Sequence, residues 1–329
     1  MKVLITGGTG FIGSRLALKC LERGDTVRVL GQDNNQAEAE NKVLLESKGV
    51  EVTLASITEK NILEQSLQGV DVVFHLAAAQ HEANVPDQRF WDVNVAGTRY
   101  MLNASLQCGV KRFVHGSTIG VYGAALKGHL NENSPLRPDN IYGITKLEGE
   151  KLVLSYKDKL PLVIIRISET YGPGDRRLLK LFKAIKKHVF FMIGDGTNLH
   201  HLIFIEDLIE GMIMAAQSEA ALGKVFVLSG KEPLSTNEMV AIIARQLGGT
   251  VPQWRAPLWI FLLAARVCEG LLRPLGIQPP LHPRRMDFFR KGFVFSQEIP
   301  RKVLGFAPKV SFERGALETT KWYGQMGLL

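Results

Sequence analysis

The chain has 329 residues, 46% of them hydrophobic, and a formal net charge of +8. That composition fits an ordinary globular protein of one large or two modest domains, and three scattered cysteines, Cys20, Cys108 and Cys268, exclude a disulfide framework and offer no metal-ligand spacing. The excess charge sits in residues 251–329, where twelve Lys and Arg face five Asp and Glu; with no recognition module beside it, nucleic acid is set aside, leaving an anionic substrate, an acidic membrane surface or a plain solvated face.

In chain order, Lys2–Ile5 is an apolar run that enters Thr6-Gly7-Gly8-Thr9-Gly10-Phe11-Ile12-Gly13, and Ser14–Arg23 follows with Leu16, Leu18 and Leu21 at near-helical spacing. Strand, glycines and helix in that order make a dinucleotide turn. Gly7, Gly10 and Gly13 serve the tight bend, the close approach to a pyrophosphate and the helix packing, while the helix N-terminus faces the phosphates. The same start shows no cleavable leader, so a reducing, cytoplasmic or cytoplasm-facing location is expected.

Strands are expected at Thr26–Leu30, Val50–Leu54, Val70–Leu76, Arg112–His115 and Leu162–Ile167, alternating with helices near 36–48, 59–67, 87–108 and 142–156. This alternation predicts an α/β fold with a Rossmann-type, doubly wound parallel sheet over about residues 1–170, with ligands at the carboxyl ends of its strands. After residue 170 the pattern loosens, and 171–329 reads mainly as a smaller substrate-binding domain. Helices near 206–216 and 235–247 flank Val225–Leu228, a strand expected to return to the first sheet. Leu258–Leu272 is apolar apart from Arg266, Glu269 and Gly270, with Pro257, Arg273 and Pro274 close by. It is too broken by charge to span a bilayer and reads as a packed amphipathic helix, or as one that forms a greasy entrance or touches a membrane over 257–276.

Tyr142 and Lys146 lie four apart on one predicted helix face, where an ammonium favours the phenolate of a group whose pKa is ordinarily near 10. Ser117 and Thr118 stand at the carboxyl end of the preceding strand, which is the ligand edge of such a sheet.

Taken together, TGGTGFIG at 6–13, Phe74-His75-Leu76-Ala77-Ala78, Asn94-Val95-Ala96-Gly97-Thr98, Val121-Tyr122-Gly123, YGITK at 142–146, Tyr171-Gly172-Pro173-Gly174-Asp175 and Glu206-Asp207-Leu208 resemble, in order, the motifs of the extended short-chain dehydrogenases, the NAD-dependent epimerase/dehydratase family. The resemblance implies an NAD(P) cofactor held by Gly7, Gly10, Phe11, Ile12, Gly13, Leu76, Ala77, Ala78, Asn94, Tyr142 and Lys146. It implies Tyr142 as proton donor or acceptor, Lys146 on the nicotinamide ribose, and Thr118 on the reacting oxygen, with Ser117 as the alternative. It also implies a homodimer through the helices at 87–108 and 142–156.

Departures from the family pattern carry information too. Gly31 stands where an acid or arginine normally reads the adenosine ribose, with Asp33 a later candidate, and Ser56-Ile57-Thr58 replaces the usual acid near the adenine. Ile119 and Gly120 stand where dehydratases and decarboxylases place acids, which argues against those reactions. Glu169 replaces the asparagine, and His200 or His201 the arginine, of nucleotide-sugar members, although Arg176 and Arg177 are placed to grip a diphosphate. The substrate residues expected are therefore Glu169, Arg176 and His200. Pro279-Pro280 and the closing Leu304-Gly305-Phe306-Ala307-Pro308 and Val310-Ser311-Phe312-Glu313-Arg314-Gly315 resemble 3β-hydroxysteroid dehydrogenase-like members, which implies a bulky apolar alcohol. A nucleotide sugar, to be epimerised or reduced, is the rival substrate. A non-catalytic NAD(P)-binding scaffold or sensor is the rival class.

Overall fold

A computed structural model describes residues 1–80, 85–123, 128–272, 286–290 and 292–329. Seven strands form one parallel sheet: β1 (Lys2–Thr6), β2 (Thr26–Gly31), β3 (Glu51–Leu54), β4 (Val72–His75), β5 (Arg112–Thr118), β6 (Leu162–Ile167) and β7 (Val225–Leu228). Their spatial order is β7-β6-β5-β4-β1-β2-β3. Continuous apolar runs dictate this arrangement, because a strand covered on both faces has no side to give to water. Leu4, Ile5, Val163, Ile164 and Ile165 are accordingly all fully buried.

Helices α1 (Phe11–Glu22), α2 (Gln36–Ser47), α3 (Lys60–Ser66), α4 (Asp87–Trp91), α5 (Thr98–Gln107) and α6 (Ile141–Leu154) clothe the sheet. The helix expected at 87–108 is interrupted by a wide π-helical stretch, Asp92–Gly97, that joins α4 to α5. Strand order reverses between β1 and β4, and a crevice opens beyond their carboxyl ends, where a doubly wound sheet binds its ligand. The predicted return of Val225–Leu228 is found as β7, which pairs with β6 from Val225↔Ile164 to Leu228↔Ile167.

The remaining helices are α7 (Leu179–Lys186), α8 (Ile205–Gln217), α9 (Thr236–Gln246), α10 (Leu258–Leu272), α11 (Asp287–Arg290), α12 (Glu298–Leu304) and α13 (Phe312–Gln325). The closing motif is pinned at Asp207 of α8, whose carboxylate accepts the backbone N–H groups of Lys309 and Val310 at 3.1 and 2.9 Å. Ser311 then caps α13, whose Phe312 ring lies 5.0 Å from that of Tyr171. Pro279-Pro280, Arg273 and Pro274 lie outside the described residues. Helix α10 departs from the packed reading. Among its described side chains only Ala265 is fully buried, whereas Trp259, Ile260, Leu263, Val267 and Leu271 are exposed.

Candidate active site

The glycine turn closes on itself more tightly than side chains allow. A Cβ on Gly13 would lie 2.3 Å from the Gly7 carbonyl oxygen, and one on Gly7, whose φ is +66°, would lie 2.9 Å from the Ala77 nitrogen. The turn therefore brings α1's free N–H groups up to the crevice between β1 and β4, a cradle for a pyrophosphate. The cleft has a volume of about 740 Å³, and Gly7, Gly10, Phe11, Ile12 and Gly13 line one wall, with Leu76, Ala77 and Ala78 opposite. That volume lies in the range of small-molecule and cofactor sites.

The catalytic candidates converge at the far end of the same cleft. Asn140 caps α6 by accepting the Gly143 N–H at 3.0 Å, so Tyr142 falls in the helix's first turn. A Cβ on Gly143 would stand 2.7 Å from the Gly120 carbonyl oxygen, so this glycine lets α6 press against the turn that follows β5. The result sets Tyr142 and Thr118 on either side of Gly120, with the Thr118 hydroxyl favouring the phenolate. Thr118 also accepts the Gly120 N–H at 3.1 Å, which fixes its hydroxyl. Lys146, one turn along α6, is buried and donates to the Gly116 carbonyl at 2.6 Å.

The electrostatics differ from the sequence expectation. Burial pushes the Tyr142 phenol up to about 12, with Thr118 and Arg177 pulling the other way, so the group is a proton donor at neutral pH in this state. Burial also lowers Lys146 to about 8, against Glu150, which favours its charge.

Ser117 also lines the cleft, but its hydroxyl is engaged on the side of the frame. Its hydroxyl donates to Glu150 at 2.8 Å, and the Glu150 carboxylate receives two bonds from Arg166, at 2.5 and 3.2 Å. This buried pair ties β5, β6 and α6 together beneath Lys146, so Ser117 belongs to the frame, not to the reacting end. Asn94 is likewise occupied: its side chain accepts the Ala79 N–H at 2.9 Å and donates to Thr145 on α6 at 3.0 Å. It clamps the loop after β4 to α6 from the π-helical stretch and does not line the cleft.

On the ribose side the acid proposed at Asp33 is exposed and lies off the cleft, and Gln32, Asn35 and Glu38 form that wall. The glycine at 31 has a local cause, since a Cβ there would lie 2.4 Å from the Thr9 hydroxyl, which already accepts the Gln32 N–H. On the substrate side Glu169 lines the cleft, two residues past Ile167, the register partner of Thr118. His200 does not line it, but stands behind, donating from Nδ1 to Glu169 at 2.9 Å and meeting Thr236 and Asn198 at 3.1 Å through Nε2. Burial pushes the Glu169 carboxyl up, but the His200 hydrogen bond and the charges of His200 and Arg177 outweigh it, and the group rests below the usual carboxylate range. Arg176 faces away and pairs with Glu40 of α2, whereas Arg177 lines the cleft, held by Asp175 at 3.0 Å. Adjacent arginines gave no sign of which one turns inward; the buried Asp175 of the Gly-Pro-Gly-Asp turn decides it.

The family model for the NAD dependent epimerase/dehydratase family matches residues 3–229. Sterol-4-alpha-carboxylate 3-dehydrogenase, decarboxylating, of Mus musculus is 29% identical over 97% of this chain and 90% of its own length. The 3beta-hydroxysteroid-dehydrogenase/decarboxylase isoform 2 of Arabidopsis thaliana is 28% identical over 96% of this chain, which spans only 61% of that longer protein. Among solved structures, UDP-glucuronic acid 4-epimerase from Bacillus cereus in complex with NAD superposes with a TM-score of 0.80 at 25% identity over 99% of each chain.

Proposed function

This chain belongs to the NAD dependent epimerase/dehydratase family, and on that premise we propose that it oxidises a secondary alcohol or reduces the matching ketone, with Tyr142, Thr118 and Lys146 as the working set. One observation carries the reading: Tyr142, Thr118 and Lys146 line the same cleft that the glycine turn opens, with the Thr118 hydroxyl placed to favour the Tyr142 phenolate. The cradle fits NAD, because Gly7 and Gly13 leave room where a Cβ would collide and Lys146 stands buried at the other end. When bound, NAD supplies the hydride acceptor or donor. Tyr142 moves the proton on the substrate oxygen, and Thr118 shares that oxygen and orients the phenol. Lys146 keeps a cation within one helical turn of the phenol.

The substrate proposed is a bulky apolar alcohol of the 3β-hydroxysteroid kind. Glu169 supports it, because a carboxylate held in its charged form beside the reacting end repels a diphosphate. The two relatives named for decarboxylation weaken the argument drawn from Ile119 and Gly120, since a β-keto acid formed by oxidation loses carbon dioxide without a protein acid. Arg177 favours a second reading, a nucleotide sugar epimerised through a transient ketone, because its guanidinium faces the cleft and suits phosphate oxygens. A homodimer through the helical segments 87–108 and 142–156 is proposed under either reading.

The test combines native mass spectrometry with a substrate panel. Expected is an exchangeable NAD and formation of NADH with 3β-hydroxysteroids. A tightly retained NAD with interconversion of UDP-sugars and no net NADH would install the second reading, and stoichiometric NAD binding with no turnover on any alcohol or sugar would refute both.

A further inference from the structure

Two segments distant in sequence, joined by backbone hydrogen bonds, expose large apolar side chains outside the cleft. Helix α10 exposes Trp259, Leu263, Val267 and Leu271, four residues apart on a single face, with Trp259 66% and Leu271 66% exposed. Just before the helix, Trp254 is 83% exposed. The backbone joins this region to the loop after α7: the Met192 N–H donates to the Trp254 carbonyl and the Gly194 N–H to that of Ala256, both at 2.9 Å. The Phe191 and Phe261 rings lie 5.8 Å apart, and Val189 and Phe191 add exposed apolar surface at that junction. Helical periodicity explains why α10 is held by its other side, around Ala265, and leaves these side chains to solvent. Four large apolar side chains exposed along one helical face beside Trp254 mark an interaction site.

Its charge selects the partner. Residues 178–194 and 251–272 together carry six Lys and Arg against a single acid, Glu269. Lys180, Lys183 and Lys187 are exposed along α7 and its end, and Arg266 is exposed beside Val267 on α10. A second copy of the chain meeting this face across a two-fold axis would bring the same basic surface against itself, and like charges would oppose the contact. Tryptophans and aliphatic side chains rimmed by lysine and arginine instead match the boundary between headgroups and acyl chains of an anionic bilayer. No helix among the described residues is long and apolar enough to cross a membrane, so the contact lies in the interfacial plane.

We propose that the α10 face and the adjoining α7 loop dock this protein on anionic membrane surfaces. The docking lobe also reaches toward the substrate side of the cleft. Gly194 neighbours Leu258 and Phe289, and the Phe288 ring lies 4.7 Å from that of His200, which holds Glu169. An amphiphilic alcohol dissolved in the bilayer would thus be presented near the cleft, although docking itself needs no substrate.

The test is flotation of the full chain with phosphatidylglycerol vesicles and with phosphatidylcholine vesicles, at low and high salt. Expected is binding to the anionic vesicles that weakens about tenfold or more with Trp259→Glu/Leu263→Glu, and comparably with Lys183→Glu/Lys187→Glu or high salt. NAD binding by native mass spectrometry stays unchanged in each variant and shows the fold intact. Absence of binding to phosphatidylglycerol vesicles, or binding that ignores Trp259→Glu/Leu263→Glu, overturns the proposal. So does a dimer in solution that the same double variant splits while vesicles go unbound, which would assign the face to a second copy. The vesicle readout contains no substrate, so its failure is separable from failure of the oxidoreductase reading.

Discussion

Replacing Tyr142 by Phe separates chemistry from architecture because it removes one oxygen and leaves the ring that packs beside Gly120 and Ile141. Thr118 loses the phenol beside it but keeps the Gly120 N–H at 3.1 Å, so no buried polar group is stranded. The stability cost is at most that of one neutral hydrogen bond, about 1 kcal/mol, which lowers Tm by about 1–2 °C in a chain of this size. Turnover falls by about a hundredfold or more, because a lost general acid–base raises the barrier by about 2.7 kcal/mol. NAD affinity stays within a few-fold. The assay is steady-state hydride transfer followed by nicotinamide absorbance, alongside thermal unfolding of the same preparation. The phenol is pushed up to about 12 and stays protonated across neutral pH, so ketone reduction by the wild type is expected to be flat below about pH 7 and to change toward pH 8, where Lys146 loses its charge. Turnover of Tyr142→Phe within tenfold of wild type, with stability intact, would refute the assignment.

Ser117→Ala and Thr118→Val should divide oppositely. The first leaves Glu150 with Arg166 alone and costs about 1–2 kcal/mol of stability in urea unfolding with turnover nearly unchanged, and the second lowers kcat about tenfold or more with little loss of stability. Gly13→Ala forces backbone to move, since its Cβ would meet the Gly7 oxygen at 2.3 Å; calorimetry should find NAD affinity reduced at least about tenfold, and an unchanged Kd counts against the cradle. His75 and His115 are wholly buried, and burial with the charge of Lys146 takes His75 down to about 3 and His115 well below its ordinary value. Their stabilising contribution is complete above about pH 6.5 and is lost as pH falls toward the folded value, by about 1.4 kcal/mol per pH unit for His75. Urea midpoints at pH 7 and pH 5 should therefore differ less in His115→Phe than in wild type, and an equal difference in both would sink the point.

Local chemistry made much of this protein legible before any fold was seen. A glycine turn has its own short-range reason, a cap such as Asn140 acts within four residues, and apolar runs mark strands buried on two faces, so β1, the cradle, α6 and the Tyr142/Lys146 spacing were readable from residues alone. The π-helical break at Asp92–Gly97 was not, because it depends on Asn94 clamping the loop after β4 to Thr145 on α6. The direction of side chains that are neighbours in sequence also had to wait. Ser117 and Thr118 offer the same hydroxyl, and Arg176 and Arg177 the same guanidinium. What each of them engages is fixed by partners far along the chain, Glu150 for Ser117, Tyr142 for Thr118 and Glu40 for Arg176. The same holds for α10, where amphipathic spacing alone cannot say which face is covered. Periodicity sets where side chains stand on an element, but burial is a property of what packs against it, and only the assembled structure supplies that.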